Sequence, residues 1–145
     1  GPRLDRLDVG RVITIFMGQV LRGEPLTVFG DGTQTRSFTY VDDAIRATIA
    51  AARSPEAAGQ VFNIGSDEET SILDLARTMI RVSGSSSSVV LVPQESVYGR
   101  SYEDVPRRVP RLDRMHGVLG VRAETSLEKG LHATIEWFRS NGHLR

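Results

Sequence analysis

Residues 26–43 read LTVFGDGTQTRSFTYVDD, and their sorting into strand, turn, strand and helix start places the chain among α/β proteins. Leu26-Thr27-Val28-Phe29 is a short run of strand formers, and Gly30-Asp31-Gly32 supplies turn residues directly after it. A second extended run covers Gln34–Thr39, so the two runs predict a hairpin-like pair. Asp42 and Asp43 fall in the first turn of a helix, where carboxylates suit the positive end of the dipole. Ile45, Ile49 and Ala52 form that helix's apolar stripe, and Pro55 marks its exit.

Working outward, Arg11–Leu21 sets Val12, Phe16 and Val20 on one helical face. Gly23 stands where a glycine would end the helix, and Pro25 prevents its restart. Downstream, Gln60–Ile64 reads as a strand ending in Gly65. Ser71-Ile72-Leu73-Asp74 matches a helix-opening Ser-x-x-acid box, with Ile72, Leu75, Ala76 and Met79 on one face and Gly84 at the end. Asp67-Glu68-Glu69, just before it, reads as dipole complementation for that helix. Val89–Val92 is an apolar strand, and Pro93–Pro110 shows no period, as in a binding loop. A short helix over Arg111–Leu119 follows. Thr125-Ser126-Leu127-Glu128 is a capping box for a last helix, whose inward face is Leu127, Leu131, Ile135 and Phe138.

Composition narrows the function classes. The 145 residues are 39% hydrophobic with zero formal net charge, which provides no basic field for nucleic acid or an anionic membrane. Cysteine is absent, so disulfides, thiolate metal sites and a cysteine nucleophile are excluded. The apolar runs are too short to span a bilayer and no signal-peptide pattern opens the chain, so a cytoplasmic protein is expected. His116, His132 and His143 lack metal-ligand spacing, and no metal is expected. The sequence has no Gly-x-Gly-x-x-Gly loop and no Gly-x-Ser-x-Gly elbow. A Tyr-x-x-x-Lys dyad is impossible, because Lys129 is the only lysine and position 125 is threonine. No residue of this chain is therefore expected to be catalytic.

What remains is a loop set of arginines and aromatics: Arg11, Phe29, Arg36, Tyr102, Arg107 and Arg108. Guanidinium forks suit phosphate oxygens and a ring can cover a flat base, although scattered surface residues would read the same way. All but one of the 18 basic residues are arginine.

Taken in order, Gly1-Pro2-Arg3, Gly10-Arg11-Val12-Ile13, Leu26–Gly32, Gln34–Phe38, Tyr40-Val41-Asp42-Asp43 and Phe62-Asn63-Ile64-Gly65 resemble the extended short-chain dehydrogenase/reductases that act on sugar nucleotides. Leu119-Gly120 and Ser126–Leu131 continue the likeness to the end of the chain. Gly10–Ile13, Tyr98–Val105 and Arg108-Val109-Pro110 are most similar to the UDP-glucuronate decarboxylases, beside the epimerases and dehydratases of nucleoside diphosphate sugars. The resemblance implies an α/β substrate-binding lobe filling residues 1–145 as a single unit, helices around short strands, with the cofactor-binding Rossmann half missing. It places Arg11, with Val12 beside it, and Arg108 at the phosphates or sugar. Tyr102 would lie near the uracil, Thr27 and Phe29 would flank the base, and Arg36 would reach the ribose or phosphates.

The implied cofactor is NAD, bound by the N-terminal half, and the implied reaction begins with transient oxidation of the sugar C4 hydroxyl. Implied partners are a UDP-sugar or other nucleotide sugar, the chain's own Rossmann half, and a second copy in a homodimeric parent enzyme. A start in mid-motif predicts a fragment or truncation, inactive alone; the alternative is a non-catalytic nucleotide-sugar-binding or interaction module. Two departures from the family pattern stand out: Arg111 where aspartate is usual, and Gly120-Val121-Arg122-Ala123 where the family commonly has an aromatic and a proline.

Overall fold

The computed structural model describes residues 1–2, 7, 11–93 and 105–141. Helix α1 (Val12–Leu21) buries Phe16, Met17 and Val20. At its end the Glu24 N–H reaches the Gln19 carbonyl at 2.9 Å and the Gly23 N–H reaches Val20 at 3.3 Å. That double closure requires a left-handed residue, and Gly23 provides it with φ 69°. Strand β1 (Leu26–Phe29) follows, burying Leu26 and Val28 and leaving Thr27 and Phe29 on its other face.

The expected hairpin does not form. β1 pairs in parallel with β4 (Val89–Val92), Leu26 opposite Val89. β2 (Thr35–Ser37) lies in a second, three-stranded sheet, between antiparallel β3 (Glu69–Ser71) and parallel β5 (Arg107–Arg108). The turn itself is as read: Asp31 Oδ1 accepts the Thr33 N–H at 2.9 Å and its hydroxyl at 2.7 Å. Gly32 has φ 74°, and a Cβ there would come within 2.7 Å of Val28 Cγ1. The chain uses this turn to cross between sheets, because its backbone groups are committed elsewhere. The Gly32 and Gln34 carbonyls accept the Leu73 and Ile72 N–H groups, each at 3.0 Å, and the Gly30 N–H bonds Val92 at 2.9 Å.

Helix α3 (Ile72–Ser83) starts as predicted, Ser71 Oγ accepting the Asp74 N–H at 3.0 Å, and ends at Gly84 with φ 66°. Its apolar stripe meets α1, β1 and the last helix, α5 (Leu127–Asn141), in one core containing Phe16, Met17, Leu26, Val28, Leu75, Met79, Leu131, Ile135 and Phe138. Each such side chain, fully buried, contributes roughly 1.5–3 kcal/mol. The cap of α5 shifts by one residue from expectation: Ser126 Oγ, not Thr125, accepts the Lys129 N–H, at 3.3 Å. Thr125 is turned toward α2 instead, its N–H going to Asp43 Oδ2 at 3.0 Å.

A second, smaller cluster joins Ala47 of α2 (Val41–Arg53) to Leu112 and Met115, the latter on α4 (Asp113–Leu119). The predicted stripe on α2 proves to be its open side: Ile45 is 50% exposed and Ile49 45%. The buried residues are Asp43 and Ala47, since a methyl side chain lets α2 close onto Met115 where isoleucine would hold it off. Nor does Gln60–Ile64 form a strand; among the described residues it has no ladder partner, and Val61 is 78% exposed. Its hydrogen bonds run through side chains instead: Arg114 donates to the Val61 carbonyl at 3.2 Å, and the Asn63 amide donates to the Arg111 carbonyl at 3.1 Å. No helix of the described residues is long and apolar enough to cross a membrane.

Candidate functional site

β5 lies within the stretch that reads as aperiodic in sequence, and it brings two of the expected site residues together. Arg36, central in β2, is the parallel register partner of Arg108. Partners in register project to the same face of a sheet, so two guanidinium side chains share one face of the β3-β2-β5 sheet. Arg36 is only 8% exposed, and its Nη1 donates to the Thr35 and Val105 carbonyls at 2.8 and 2.7 Å. Arg108 is exposed. Among the described residues no side chain or carbonyl engages its guanidinium.

Arg107 does not join them. As the neighbour of Arg108 along a strand it points to the opposite face, where its Nε and Nη2 fork onto Glu69, with the Nη2–Oε2 contact at 2.8 Å. The Thr35 hydroxyl donates to the same carboxylate at 2.5 Å. The Arg107 fork and then the Thr35 hydroxyl hold the Glu69 carboxyl below the ordinary glutamate range. The acidic triplet thus serves three different elements and none of them is the start of α3. Glu68 Oε2 accepts the Leu127 N–H at 3.1 Å at the start of α5. Asp67 Oδ2 lies 3.6 Å from His116 Nε2 and 3.7 Å from Arg122 Nη1.

The remaining expected residues sit on α1 and β1. Arg11 is the exposed N-cap residue of α1, and Val12, its first residue, is half-buried against the main core. Thr27 and Phe29, the two residues expected to flank a base, lie on one face of β1. The Thr27 hydroxyl accepts from Gln19 Nε2 at 2.6 Å while its N–H donates to Gln19 Oε1 at 3.2 Å. This two-point amide clamp from α1 was not foreseen. The Phe29 carbonyl accepts from Gln34 Nε2 at 3.1 Å, linking β1 to the strand that carries Arg36. Tyr102 lies outside the described residues.

Other concavities are separate from the arginine pair. A groove of about 550 Å³ between α3 and α5 is lined by Arg81, Val82, Ser126, Glu128, Lys129 and His132, but Arg81 is already bonded to Glu128 at 2.6 Å. Among the described residues no group of histidines and carboxylates could hold a metal ion.

Residues 1–65 match the model of the NAD dependent epimerase/dehydratase family. The chain is 42% identical to the UDP-N-acetyl-alpha-D-glucosaminuronate decarboxylase of Bacillus cytotoxicus, covering 96% of this chain and 43% of that protein. It is 36% identical to UDP-glucuronic acid decarboxylase 1 of Xenopus tropicalis, covering 96% of this chain and 31% of that protein. Among solved structures, the UDP-glucuronic acid 4-epimerase of Bacillus cereus, in complex with UDP-glucuronic acid and NAD, superposes with a TM-score of 0.81 at 33% identity. That match covers 97% of this chain and 42% of the epimerase. The chain therefore spans less than half the length of each of these relatives.

Proposed function

We propose that the chain, whose residues 1–65 match the NAD dependent epimerase/dehydratase family model, belongs to that family and supplies the nucleotide-sugar-binding half of a sugar-nucleotide decarboxylase, epimerase or dehydratase, with a UDP-sugar as its ligand. The observation that carries this is the Arg36–Arg108 register. Like charges placed side by side on a sheet repel; a diphosphate bridging the two guanidiniums turns that repulsion into charge-assisted hydrogen bonding. Thr27 and Phe29, one residue apart on the same face of β1, are the proposed wall for the base. Arg11 with Val12, and Tyr102, are assigned to the remainder of the ligand.

NAD does not fit the residues present. The sequence has no glycine-rich phosphate loop, and its single lysine, Lys129, lies four positions after threonine and not tyrosine. Cofactor and hydride chemistry are assigned to a Rossmann half outside these residues, docked on the exposed side of α2 and on residues 61–64, which have no ladder partner among the described residues. The part of this chain in catalysis is then orientation and charge complementarity for the diphosphate. The parent enzyme is proposed to be a cytoplasmic homodimer.

The test is calorimetric titration of UDP and a UDP-sugar into the polypeptide that carries this chain, comparing wild type with Arg108→Ala and Arg108→Lys. A hydrogen bond to a charged group contributes roughly 1.5–3 kcal/mol, so Arg108→Ala is expected to weaken binding on the order of tenfold to hundredfold. Lysine restores only part of the loss because an ammonium lacks the planar fork. Equal affinities in wild type and Arg108→Ala would return Arg108 to the surface and remove the main support for this function.

A further inference from the structure

We propose that Glu69 is a positioning residue for the nucleotide-sugar site, clamping Arg107 from the far face of the sheet so that Arg108 stays beside Arg36. This rests on the binding role assigned above to the arginine pair. β5 is only two residues long and has two register pairs, Thr35 with Arg107 and Arg36 with Arg108. So short a strand is weakly defined by its ladder, and a slip of one residue would exchange the faces of Arg107 and Arg108. Three contacts oppose that slip: the Thr35 N–H to Pro106 carbonyl bond at 2.8 Å, the Arg36 Nη1 bond to the Val105 carbonyl at 2.7 Å, and the Arg107 fork on Glu69.

The fork alone is specific for which arginine occupies which face. Glu69 sits opposite Ser37 in the antiparallel β2–β3 pair, and Thr35 lies opposite both Ser71 and Arg107. Its carboxylate is therefore delivered by β3, across β2, to the side chain of β5. With the Thr35 hydroxyl also bound, one carboxylate ties all three strands together. Were the register to slip, Arg108 would fall to the carboxylate and Arg107 would take its place beside Arg36, losing the geometry set by the Val105 anchor.

The experiment is a double-mutant cycle on UDP and UDP-sugar affinity, again in the polypeptide that carries this chain. Glu69→Gln keeps the size of the side chain and loses the charged fork; it is expected to weaken binding about fivefold, equivalent to ~1 kcal/mol. In an Arg108→Ala background the same change should cost less than about twofold, because residues acting through one another are not additive. Exchanging the charges, Glu69→Arg with Arg107→Glu, should bring affinity back to within about threefold of wild type. A merely structural role would lower the melting temperature but leave the two losses multiplicative. If Arg108→Ala weakens binding while Glu69→Gln does not, or if the losses multiply, the positioning role is wrong and the binding site stands. If Arg108→Ala has no effect, the binding site fails and the positioning role falls with it.

Discussion

Asp43→Asn should destabilise the chain by about 2–3 kcal/mol at neutral pH, although Asp43 lies outside the proposed binding face. The side chain is 3% exposed. Its Oδ2 accepts the Thr125 N–H at 3.0 Å, and its Oδ1 accepts from Arg46 Nη2 at 2.7 Å. Asparagine turns an NH2 toward one of these donors, so one charged hydrogen bond is lost outright and the other becomes a neutral one. Hydrogen bonds to a charged group contribute roughly 1.5–3 kcal/mol each. Part is recovered, because Arg46 is 45% exposed and keeps Glu124 at 3.2 Å and the Arg122 carbonyl at 3.0 Å. For a chain of this size the midpoint of melting should fall by roughly 5–10 °C.

The pH dependence has a definite sign. Burial pushes the Asp43 carboxyl up, but hydrogen bonds from Thr125 and Glu124 and the charge of Arg46 outweigh it, leaving the folded value below the ordinary 3.8. A depressed folded pKa gives stability that is present above the unfolded value and lost as pH falls through the folded one. The gap between wild type and Asp43→Asn should thus be full at neutral pH and shrink below about pH 3.8. Urea unfolding followed by far-UV circular dichroism, at concentrations where the chain is monomeric, measures both. Identical stabilities at neutral pH would refute the account, as would a gap that persists undiminished in acid.

The 145-residue chain, purified alone, is expected to turn over no UDP-sugar and to show no measurable affinity for NAD, since it holds neither a phosphate loop nor a Tyr-x-x-x-Lys dyad; turnover with added NAD sinks this. The chain alone is also expected to self-associate through Ile45, Ile49 and Val61, which are 50%, 45% and 78% exposed. Ile45→Glu with Ile49→Lys should then raise the monomer fraction in sedimentation, whereas a monodisperse wild-type monomer with a high, cooperative melt would contradict it.

Local signals were legible and cross-strand ones were not. The stop of α1 at Gly23 and the start of α3 at Ser71 depend on neighbours within a few residues, so spacing and residue type sufficed. The partners of β1 and β2 depend on strands more than thirty residues away in the chain, which is why a plausible hairpin gave way to two separate sheets. α2 misled for another reason. Both its sides carry apolar residues, and hydrophobicity alone favours the isoleucines, while close approach to Met115 selects the alanine side. Among the site residues, Arg36 and Arg108 were read from motif, but their adjacency exists only in the β2–β5 register. Glu69 looked like a dipole complement because its real partner, Arg107, lies on the far side of β2.

The adjacency of Arg107 and Arg108 was visible in sequence, but their place on a strand was not, and it changes what the doubled arginine means. Consecutive arginines in a loop would present two charges to one ligand. Consecutive arginines in a strand cannot, because the pleat sends them to opposite faces, so one must be satisfied by the protein or by water. Here the protein satisfies Arg107 with Glu69, whose carboxylate also accepts from the Thr35 hydroxyl. The opposite face receives Arg108 in register with an Arg36 whose Nη1 is fixed by two carbonyls. A pair with one rigid and one exposed member suits a ligand that enters from solvent. The buried guanidinium is held before binding, so its share of the ordering cost is met by the fold, and the exposed one closes onto the second phosphate. On this logic Arg36→Lys should harm binding and folding together, whereas Arg108→Lys should harm binding alone. Comparing urea midpoints with UDP affinities for the two variants checks the division, and equal loss of stability in both would undo it.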